Sequence, residues 1–157
     1  MRIVFVCTGN ASRSAAAEAI LKKMVAERAI PNVVVESCGT EVPHGLTREA
    51  TMTRVAGEAG YDVAGLAVPM SCEMLNPADL IIAMTEYHRD EITRIIDYDR
   101  WDRITLFDKF AFGSDTDVPD PHDQSEDVYR KCFNHILAGC ALIAEKLLYL
   151  QRGKLHE

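Results

Sequence analysis

Residues 2–24 read RIVFVCTGNASRSAAAEAILKKM, and the hydrophobic period changes in the middle of this stretch. Ile3–Cys7 is a run of apolar residues, mostly β-branched, followed by the turn-forming pair Gly9-Asn10, and this pattern predicts a short buried strand. From Ser14 onward the apolar residues recur at helical spacing, which predicts a helix directly after the loop. A strand joined to a helix by a short loop is the first half of a β-α-β unit.

The rest of the chain repeats this alternation of strand and helix. The remaining predicted elements are, in order, strand Val33–Glu36, helix Thr47–Ala59 closed by Gly60, strand Ala78–Met84, helix Glu86–Ile96, strand Ile104–Phe107, loop Asp108–Asp123 and helix Ser125–Leu150. Such an alternation predicts a parallel sheet with helices on both faces, and in these sheets ligands bind at the carboxyl ends of the strands. We expect one α/β domain over residues 1–157.

The composition and net charge of the chain argue against several classes of binding partner. The chain has 157 residues, of which 48% are hydrophobic and 26% charged, as in a globular domain. Its 17 Lys and Arg against 24 Asp and Glu give a formal net charge of −7, so we expect no nucleic-acid partner and no anionic membrane partner. No continuous apolar run is long enough to span a membrane, and the N-terminus lacks the features of a secretion signal. Five cysteines without zinc-type spacing predict reduced thiols, no metal site and a cytoplasmic location.

The loop from Cys7 to Ser14 carries the chemistry that we expect of this chain. Gly9 and Asn10 tolerate positive φ, so the loop can curl and point successive N–H groups inward as an anion nest. The following helix adds the positive end of its dipole, and Arg13 can bind two oxygens of a tetrahedral oxyanion. Cys7 lies at the base of this nest, where the surrounding charges favour the nucleophilic thiolate. The alternative is a buried cysteine with an unrelated arginine on the first helical turn.

Displacing an alkoxide or phenoxide from phosphorus also needs a proton donor. Asp120 is the best candidate, because the two prolines of Val118-Pro119-Asp120-Pro121 stiffen the backbone around it within a long loop. Three other aspartates compete with it in the same loop: Asp115, Asp117 and Asp123. Taken alone, an aspartate beside a proline is more often a turn residue, and only its combination with the Cys7–Ser14 loop favours Asp120.

The sequence CTGNASRS at 7–14, together with Asp120-Pro121, resembles the low-molecular-weight protein tyrosine phosphatase family. The family pattern is Cys-x-Gly-Asn-x-Cys-Arg-Ser near the N-terminus with an Asp-Pro on a late loop. The resemblance implies a single-domain, flavodoxin-like, four-stranded parallel sheet with helices on both faces. It implies hydrolysis of phosphotyrosine on a phosphorylated protein substrate, by an enzyme that binds inorganic phosphate or a similar oxyanion in the loop and needs no metal or cofactor. Nothing in the sequence demands more than a monomer.

The resemblance also assigns roles to residues. The catalytic residues would be Cys7, which forms a phosphocysteine, Arg13, which holds phosphoryl oxygens, and Asp120, which acts as general acid and then general base. The substrate-binding residues would be Thr8, Gly9, Asn10, Ala11, Ser12 and Ser14. Within this set, Ser14 would hydrogen-bond the Cys7 thiolate. Asn10 would hold the loop backbone, with Ser37 as its partner.

Three departures from the family pattern bear on substrate and redox behaviour. Ser12 stands where the family has a second cysteine that protects the nucleophile from oxidation. His122-Asp123 follows Asp-Pro where eukaryotic members often have a tyrosine pair, which weakens an aromatic wall. Ala11 stands where arginine phosphatases of the family tend to have threonine and many tyrosine phosphatases isoleucine. Ala11 decides for neither substrate, so a protein arginine phosphatase stays the main alternative.

Two further alternatives are less favoured. An arsenate reductase on the same fold needs two more cysteines that relay a disulfide, but Cys132 and Cys140 are eight positions apart on one predicted helix, about 12 Å along its axis. That separation is too long for a direct disulfide. A non-catalytic phosphoprotein-binding module would be expected to lack the nucleophile or the acid, whereas Cys7, Arg13 and Asp120 are all present.

Overall fold

The computed structural model describes residues 1–154, so the last three residues of the expected 1–157 domain lie outside the described part. Four parallel strands form one sheet in the order β2-β1-β3-β4. The strands are β1 (Arg2–Cys7), β2 (Val34–Gly39), β3 (Leu80–Ala83) and β4 (Ile104–Leu106). The helices are α1 (Arg13–Glu27), α2 (Ala50–Glu58), α3 (Cys72–Leu75), α4 (Glu86–Thr93), α5 (Phe107–Phe112) and α6 (Glu126–Lys154), with a 3-10 helix at Tyr98–Arg103.

The central strand β1 is buried on both faces, which confirms the predicted arrangement of helices on either side of the sheet. Ile3 and Phe5 belong to a core formed with α1, α2, α5 and α6. Val4 and Val6 belong to a second core formed with α3 and α4. Because side chains alternate between the faces of a strand, a strand with two buried faces is apolar at every position, as 3–7 is.

The helix α6 is the longest element and packs along α1, α2 and α5. Although the sequence shows no continuous apolar run of membrane length, this helix is long enough to span a membrane and contains an 18-residue stretch with a mean hydropathy of 1.3. Its apolar stripe, however, is buried in the core at Phe133, Ile136, Ile143 and Leu147. The length and hydropathy of α6 are therefore accounted for by packing and do not by themselves indicate a membrane span.

The segment 108–123 was expected to be a loop throughout, and that expectation is wrong for its first part. The helix α5 occupies Phe107–Phe112 and ends at Gly113, whose φ of 74° provides a left-handed cap. The helix forms because Phe107 and Ala111, one turn apart, are buried against α6. In addition, Asp108 Oδ1 lies 2.6 Å from the Nε2 of His135 on α6. These are contacts with a distant helix, which a local pattern does not show.

Candidate active site

The loop between β1 and α1, residues 8–12, turns at Asn10. Asn10 has a φ of 51°, in the left-handed region that asparagine tolerates better than most residues. Gly9 lies outside that region, so the expectation that both residues turn the loop through positive φ is wrong for Gly9. Gly9 lines the pocket described below, and only the Cβ of Ala11 lies within 4 Å of the position that a Cβ on Gly9 would take. The missing side chain therefore leaves room in the pocket.

Cys7 ends β1 at the base of this loop, with only 2% of its surface exposed. Its Sγ lies 2.9 Å from the Oγ of Ser14 in the first turn of α1. The Ser14 oxygen accepts a hydrogen bond from Asn10 Nδ2 at 2.8 Å, so the Ser14 proton is left for the sulfur or for the Cys38 carbonyl oxygen at 3.3 Å. A hydroxyl that donates to sulfur stabilises the thiolate, which is the nucleophilic form of cysteine.

Asn10 is a buried hub that holds the loop in its curled form. Its Nδ2 donates to Ser14 Oγ and to Ser37 Oγ, both at 2.8 Å. Its Oδ1 accepts from the backbone N–H of Val68 at 2.8 Å and from Arg48 Nη2 at 3.2 Å. The expected contact with Ser37 is present, and these four hydrogen bonds stabilise a backbone conformation that is otherwise unfavourable.

Glu18 and Arg48 complete the hydrogen-bond network around Asn10, and neither was identified as a site residue from the sequence. Glu18 Oε2 accepts from Ser37 Oγ at 2.7 Å and pairs with Arg48 Nη2 at 3.4 Å. The next residue along, Glu49, donates its N–H to the Ala11 carbonyl oxygen at 3.0 Å. The loop is thereby connected to the segment that forms one wall of the pocket. No sequence motif links Glu18, Ser37 and Arg48, because Glu18 lies on α1, Ser37 on β2 and Arg48 in the segment before α2.

Arg13 joins the loop to a segment 105 residues further along the chain. Its guanidinium is almost fully buried, with Nη1 donating to the Val118 carbonyl oxygen at 2.9 Å. Nη2 pairs with Asp120 Oδ2 at 3.3 Å and lies 3.5 Å from Thr8 Oγ1. The other carboxylate oxygen of Asp120 accepts the backbone N–H of His122 at 3.0 Å. Arg13 and Asp120 are thus adjacent, with half of the Asp120 side chain exposed.

The contacts of Asp120 in the structure distinguish it from the three competing aspartates. Asp115 pairs with a lysine of α5, and Asp117 accepts the first backbone N–H of α4. Asp123 pairs with the neighbouring histidine and is mostly exposed. Of the four, only Asp120 lines the pocket that contains Cys7 and contacts Arg13.

The pocket has a volume of about 430 Å³ and opens above the loop. Its lining combines the loop with residues 46–50 and the segment after Val118: Cys7, Thr8, Gly9, Ala11, Ser12, Arg13, Leu46, Thr47, Arg48, Glu49, Ala50, Asp120 and His122. Apart from the imidazole of His122 no lining residue has a ring. Asn10 and Ser14 are behind this surface, fully buried, and support it. Within residues 1–154 no three His, Cys, Asp or Glu side chains are grouped as metal ligands would be.

All five cysteines are free thiols, but their surroundings differ. Burial raises the pKa of Cys38 and of Cys132 to about 12, and it also raises the pKa of Cys140. These thiols are therefore protonated at neutral pH and are poor nucleophiles. Cys132 and Cys140 both belong to α6, so the structure gives no support to a disulfide relay of the arsenate-reductase kind.

We predict that Gly39→Ala damages the loop. Gly39 pairs with Cys7 across the sheet, and a Cβ there would stand 2.8 Å from the backbone nitrogen of Asn10 and still closer to the Thr8 carbonyl oxygen. Because both atoms are backbone, the loop itself must move. The expected result is a loss of about 1–3 kcal/mol in the free energy of unfolding and of about 10- to 100-fold in kcat/KM, measured by denaturant unfolding and by hydrolysis of p-nitrophenyl phosphate.

The matched control is Gly57→Ala, on the exposed side of α2. Nothing lies within 4 Å of a Cβ at Gly57, and a helical alanine is favoured over glycine. This variant should keep full activity and be slightly more stable. Unchanged activity in Gly39→Ala would show that the loop tolerates displacement.

These features define a class of protein, an α/β fold in which a cysteine at the carboxyl end of the central strand lies at the base of a curled loop beside a buried arginine. A family model described as low molecular weight phosphotyrosine protein phosphatase matches residues 2–151, and the chain belongs to this family. It is accordingly an enzyme, a phosphoric monoester hydrolase. The expected flavodoxin-like fold is confirmed by the solved structures that it resembles.

Three relatives illustrate the range of the family. The chain is 37% identical to the protein-arginine-phosphatase of Bacillus subtilis (strain 168), over 83% of this chain and 86% of that protein. It is 34% identical to the low molecular weight protein-tyrosine-phosphatase PtpB of Staphylococcus haemolyticus (strain JCSC1435), over 87% of this chain and 93% of that protein. A structure of the YwlE arginine phosphatase, a cysteine-to-serine mutant with a phosphorylated active site serine, superposes with a TM-score of 0.86 at 30% identity, covering 94% of this chain and 95% of that one.

Proposed function

We propose that this protein hydrolyses phosphotyrosine on proteins through a phosphocysteine on Cys7, with residues 1–157 acting as one domain. The observation that carries the proposal is the joint position of Cys7, Arg13 and Asp120 around one pocket. The relative whose active-site serine, in place of cysteine, is phosphorylated supports a covalent intermediate at this position. The mechanism needs Cys7 as a free thiolate, which agrees with the cytoplasmic location expected from the sequence.

In the first step, the loop amides and the Arg13 guanidinium hold three oxygens of the phosphoryl group. The Cys7 thiolate attacks phosphorus, the bond from phosphorus to the leaving oxygen breaks, and Asp120 gives its proton to that oxygen. The Arg13–Asp120 distance of 3.3 Å supports this role, because a phosphoryl group bound to Arg13 would have its leaving oxygen within reach of this carboxyl.

In the second step, Asp120 takes a proton from a water molecule, whose oxygen attacks phosphorus. The phosphorus–sulfur bond breaks, inorganic phosphate leaves and the thiolate is restored. Ser14 assists this step, because its hydroxyl, 2.9 Å from the sulfur, stabilises the thiolate as a leaving group.

The walls of the pocket support phosphotyrosine as substrate. Ala11, Leu46 and Ala50 provide apolar surface against which a phenyl ring can pack, and a pocket of about 430 Å³ accommodates the ring and its phosphate. Phosphoarginine is the second candidate, because the carboxylates of Glu49 and Asp120 line the same pocket and would attract a guanidinium. The 37% identity to a protein-arginine-phosphatase also supports this candidate.

The test is a panel of one peptide that carries phosphotyrosine, phosphoserine or phosphoarginine at the same position, with Cys7→Ser as the inactive control. We expect kcat/KM for phosphotyrosine to exceed that for phosphoserine by about 100-fold or more, because the short phosphoserine side chain cannot reach the base of the pocket while using its apolar walls. A higher kcat/KM for phosphoarginine would favour the second candidate. No turnover of any of the three would contradict a phosphoprotein phosphatase.

A further inference from the structure

Behind the phosphate-binding loop lies a chain of three polar side chains that the proposed mechanism does not use. His88 Nε2 is 2.8 Å from Thr8 Oγ1, and His88 Nδ1 is 2.9 Å from Thr85 Oγ1. The imidazole is only 1% exposed, so both ring nitrogens are engaged within the protein. Thr8 is the residue after Cys7, and its oxygen also lies 3.5 Å from Arg13 Nη2.

The sheet order explains why these residues meet. β3 lies beside β1, so the turn after β3 is adjacent to the loop after β1. Thr85 follows this turn as the N-cap of α4, and its Oγ1 accepts the backbone N–H of His88 at 3.3 Å. The imidazole therefore extends from the rigid first turn of α4 to the back of the loop.

The position of His88 keeps its ring neutral. Burial, and next the positive charge of Arg13, lower its pKa from 6.5 to about 4, and this outweighs the opposite effect of Asp117 and Asp120. Tyr87, whose ring centroid lies 5.6 Å from that of His88, is the neighbouring aromatic on α4. At neutral pH the ring therefore has one N–H donor and one acceptor nitrogen.

The protons available on Thr85, His88 and Thr8 determine which atom donates in each of these hydrogen bonds. The Thr85 oxygen already accepts a backbone N–H, as N-cap hydroxyls do, so its own proton is free to bond His88 Nδ1. The ring proton then stands on Nε2 and is donated to Thr8 Oγ1. With its oxygen engaged by His88 and next to Arg13, Thr8 keeps its own proton for a group in the pocket that it lines.

We propose that His88 is a positioning residue for substrate phosphate. It holds the Thr8 hydroxyl so that this hydroxyl donates to a phosphoryl oxygen beside the Arg13 guanidinium. The inference rests on the proposed function for its part in catalysis, but its effect on the binding of inorganic phosphate can be measured without turnover.

The first test uses variants that remove the hydrogen bonds and keep the volume, Thr8→Val and His88→Phe, with calorimetric titration of inorganic phosphate and hydrolysis of p-nitrophenyl phosphate. Each variant should bind phosphate about tenfold more weakly and lose about tenfold in kcat/KM. The double variant should bind phosphate no more weakly than the single variant with the lower affinity, because the two substitutions remove the same interaction. Thr8→Ser and His88→Gln, which keep a hydrogen-bonding group, should stay within about threefold of the wild type.

The matched control is His135→Gln, which removes another hydrogen-bonded imidazole, 2.6 Å from Asp108 and outside the pocket lining. It should leave phosphate binding unchanged. Unchanged phosphate affinity in both Thr8→Val and His88→Phe, or losses that add in the double variant, would overturn the proposal. If His88→Phe fails to fold, unchanged phosphate affinity in Thr8→Val, at a partly exposed loop position, overturns the proposal by itself, and His88→Gln with the ring NMR described below tests the part of His88. A chain that binds phosphate through Thr8 but has no phosphatase activity would contradict the proposed function and not this inference.

A second readout is independent of binding strength. Nitrogen NMR of the His88 ring should show one neutral form protonated at Nε2 throughout the range from pH 5 to pH 8, since its pKa of about 4 lies below that range. A ring that gains a proton near pH 6.5, or that carries its proton on Nδ1, would contradict the proposed order of donors.

Discussion

Replacing Cys7 by serine is expected to reduce kcat by roughly 10⁴-fold or more, as the removal of a nucleophile does in other enzymes with covalent intermediates. The substitution changes one atom at a residue that is 2% exposed, so the fold and the loop should be retained. A serine hydroxyl is not ionised at neutral pH and cannot replace a thiolate as the attacking group. The measurement is the initial rate with p-nitrophenyl phosphate and with the phosphotyrosine peptide.

Two controls make this result specific. Inorganic phosphate should still bind to Cys7→Ser, because the loop amides and Arg13 remain. Cys132→Ser should keep activity within about threefold of the wild type, since burial keeps that thiol protonated and outside the chemistry, with its pKa at about 12. More than a few per cent of wild-type turnover in Cys7→Ser would show that the nucleophile has been misassigned.

Asp120→Asn is expected to lower kcat/KM for phosphotyrosine by about 10²- to 10⁴-fold, the range typical of general acid catalysis. An amide cannot give a proton to the departing phenolate, although it keeps the size of the side chain and can still accept the His122 N–H. The loss should be smaller with p-nitrophenyl phosphate, because p-nitrophenolate is a stable anion that leaves without a proton. The ratio of the two losses therefore measures proton donation itself.

The control for this variant is Asp123→Asn, three residues further along the same segment and 86% exposed in its side chain. It removes the same charge without touching the pocket, so we expect almost no change in kcat/KM. Equal losses for both leaving groups in Asp120→Asn would indicate that the carboxylate acts by holding Arg13 rather than by moving a proton. A similar loss in Asp123→Asn would point to a general effect of charge.

Local patterns were enough to predict the architecture. The apolar run that ends at Cys7 and the change to helical spacing after Ser14 are properties of neighbouring residues, and such properties determine whether a segment becomes strand or helix. The alternation along the chain then requires crossover connections and a parallel sheet. For the same reason Cys7, Asn10 and Arg13 could be identified as a possible anion site, because their spacing within one loop sets their geometry.

Local sequence patterns could not establish Asp120 as the site aspartate. Four aspartates occupy similar positions in one polar segment, and the sequence favoured Asp120 only through its flanking prolines, its combination with the Cys7–Ser14 loop and a family resemblance. The contact of Asp120 with Arg13, over a separation of more than 100 residues, distinguishes it. The helix α5 within the expected loop has the same explanation, because it forms where Phe107 meets α6.

The sequence by itself determined the class of fold and the loop that carries Cys7 and Arg13, because both depend on interactions within a few residues of one another. Only the tertiary structure decided which further side chains support that loop: Glu18 and Arg48 on one side, and His88 on the other. The physical reason is that a parallel sheet brings together the ends of strands that are far apart in the chain. The order β2-β1-β3-β4 thus sets which residues become neighbours, and side-chain spacing along the sequence does not.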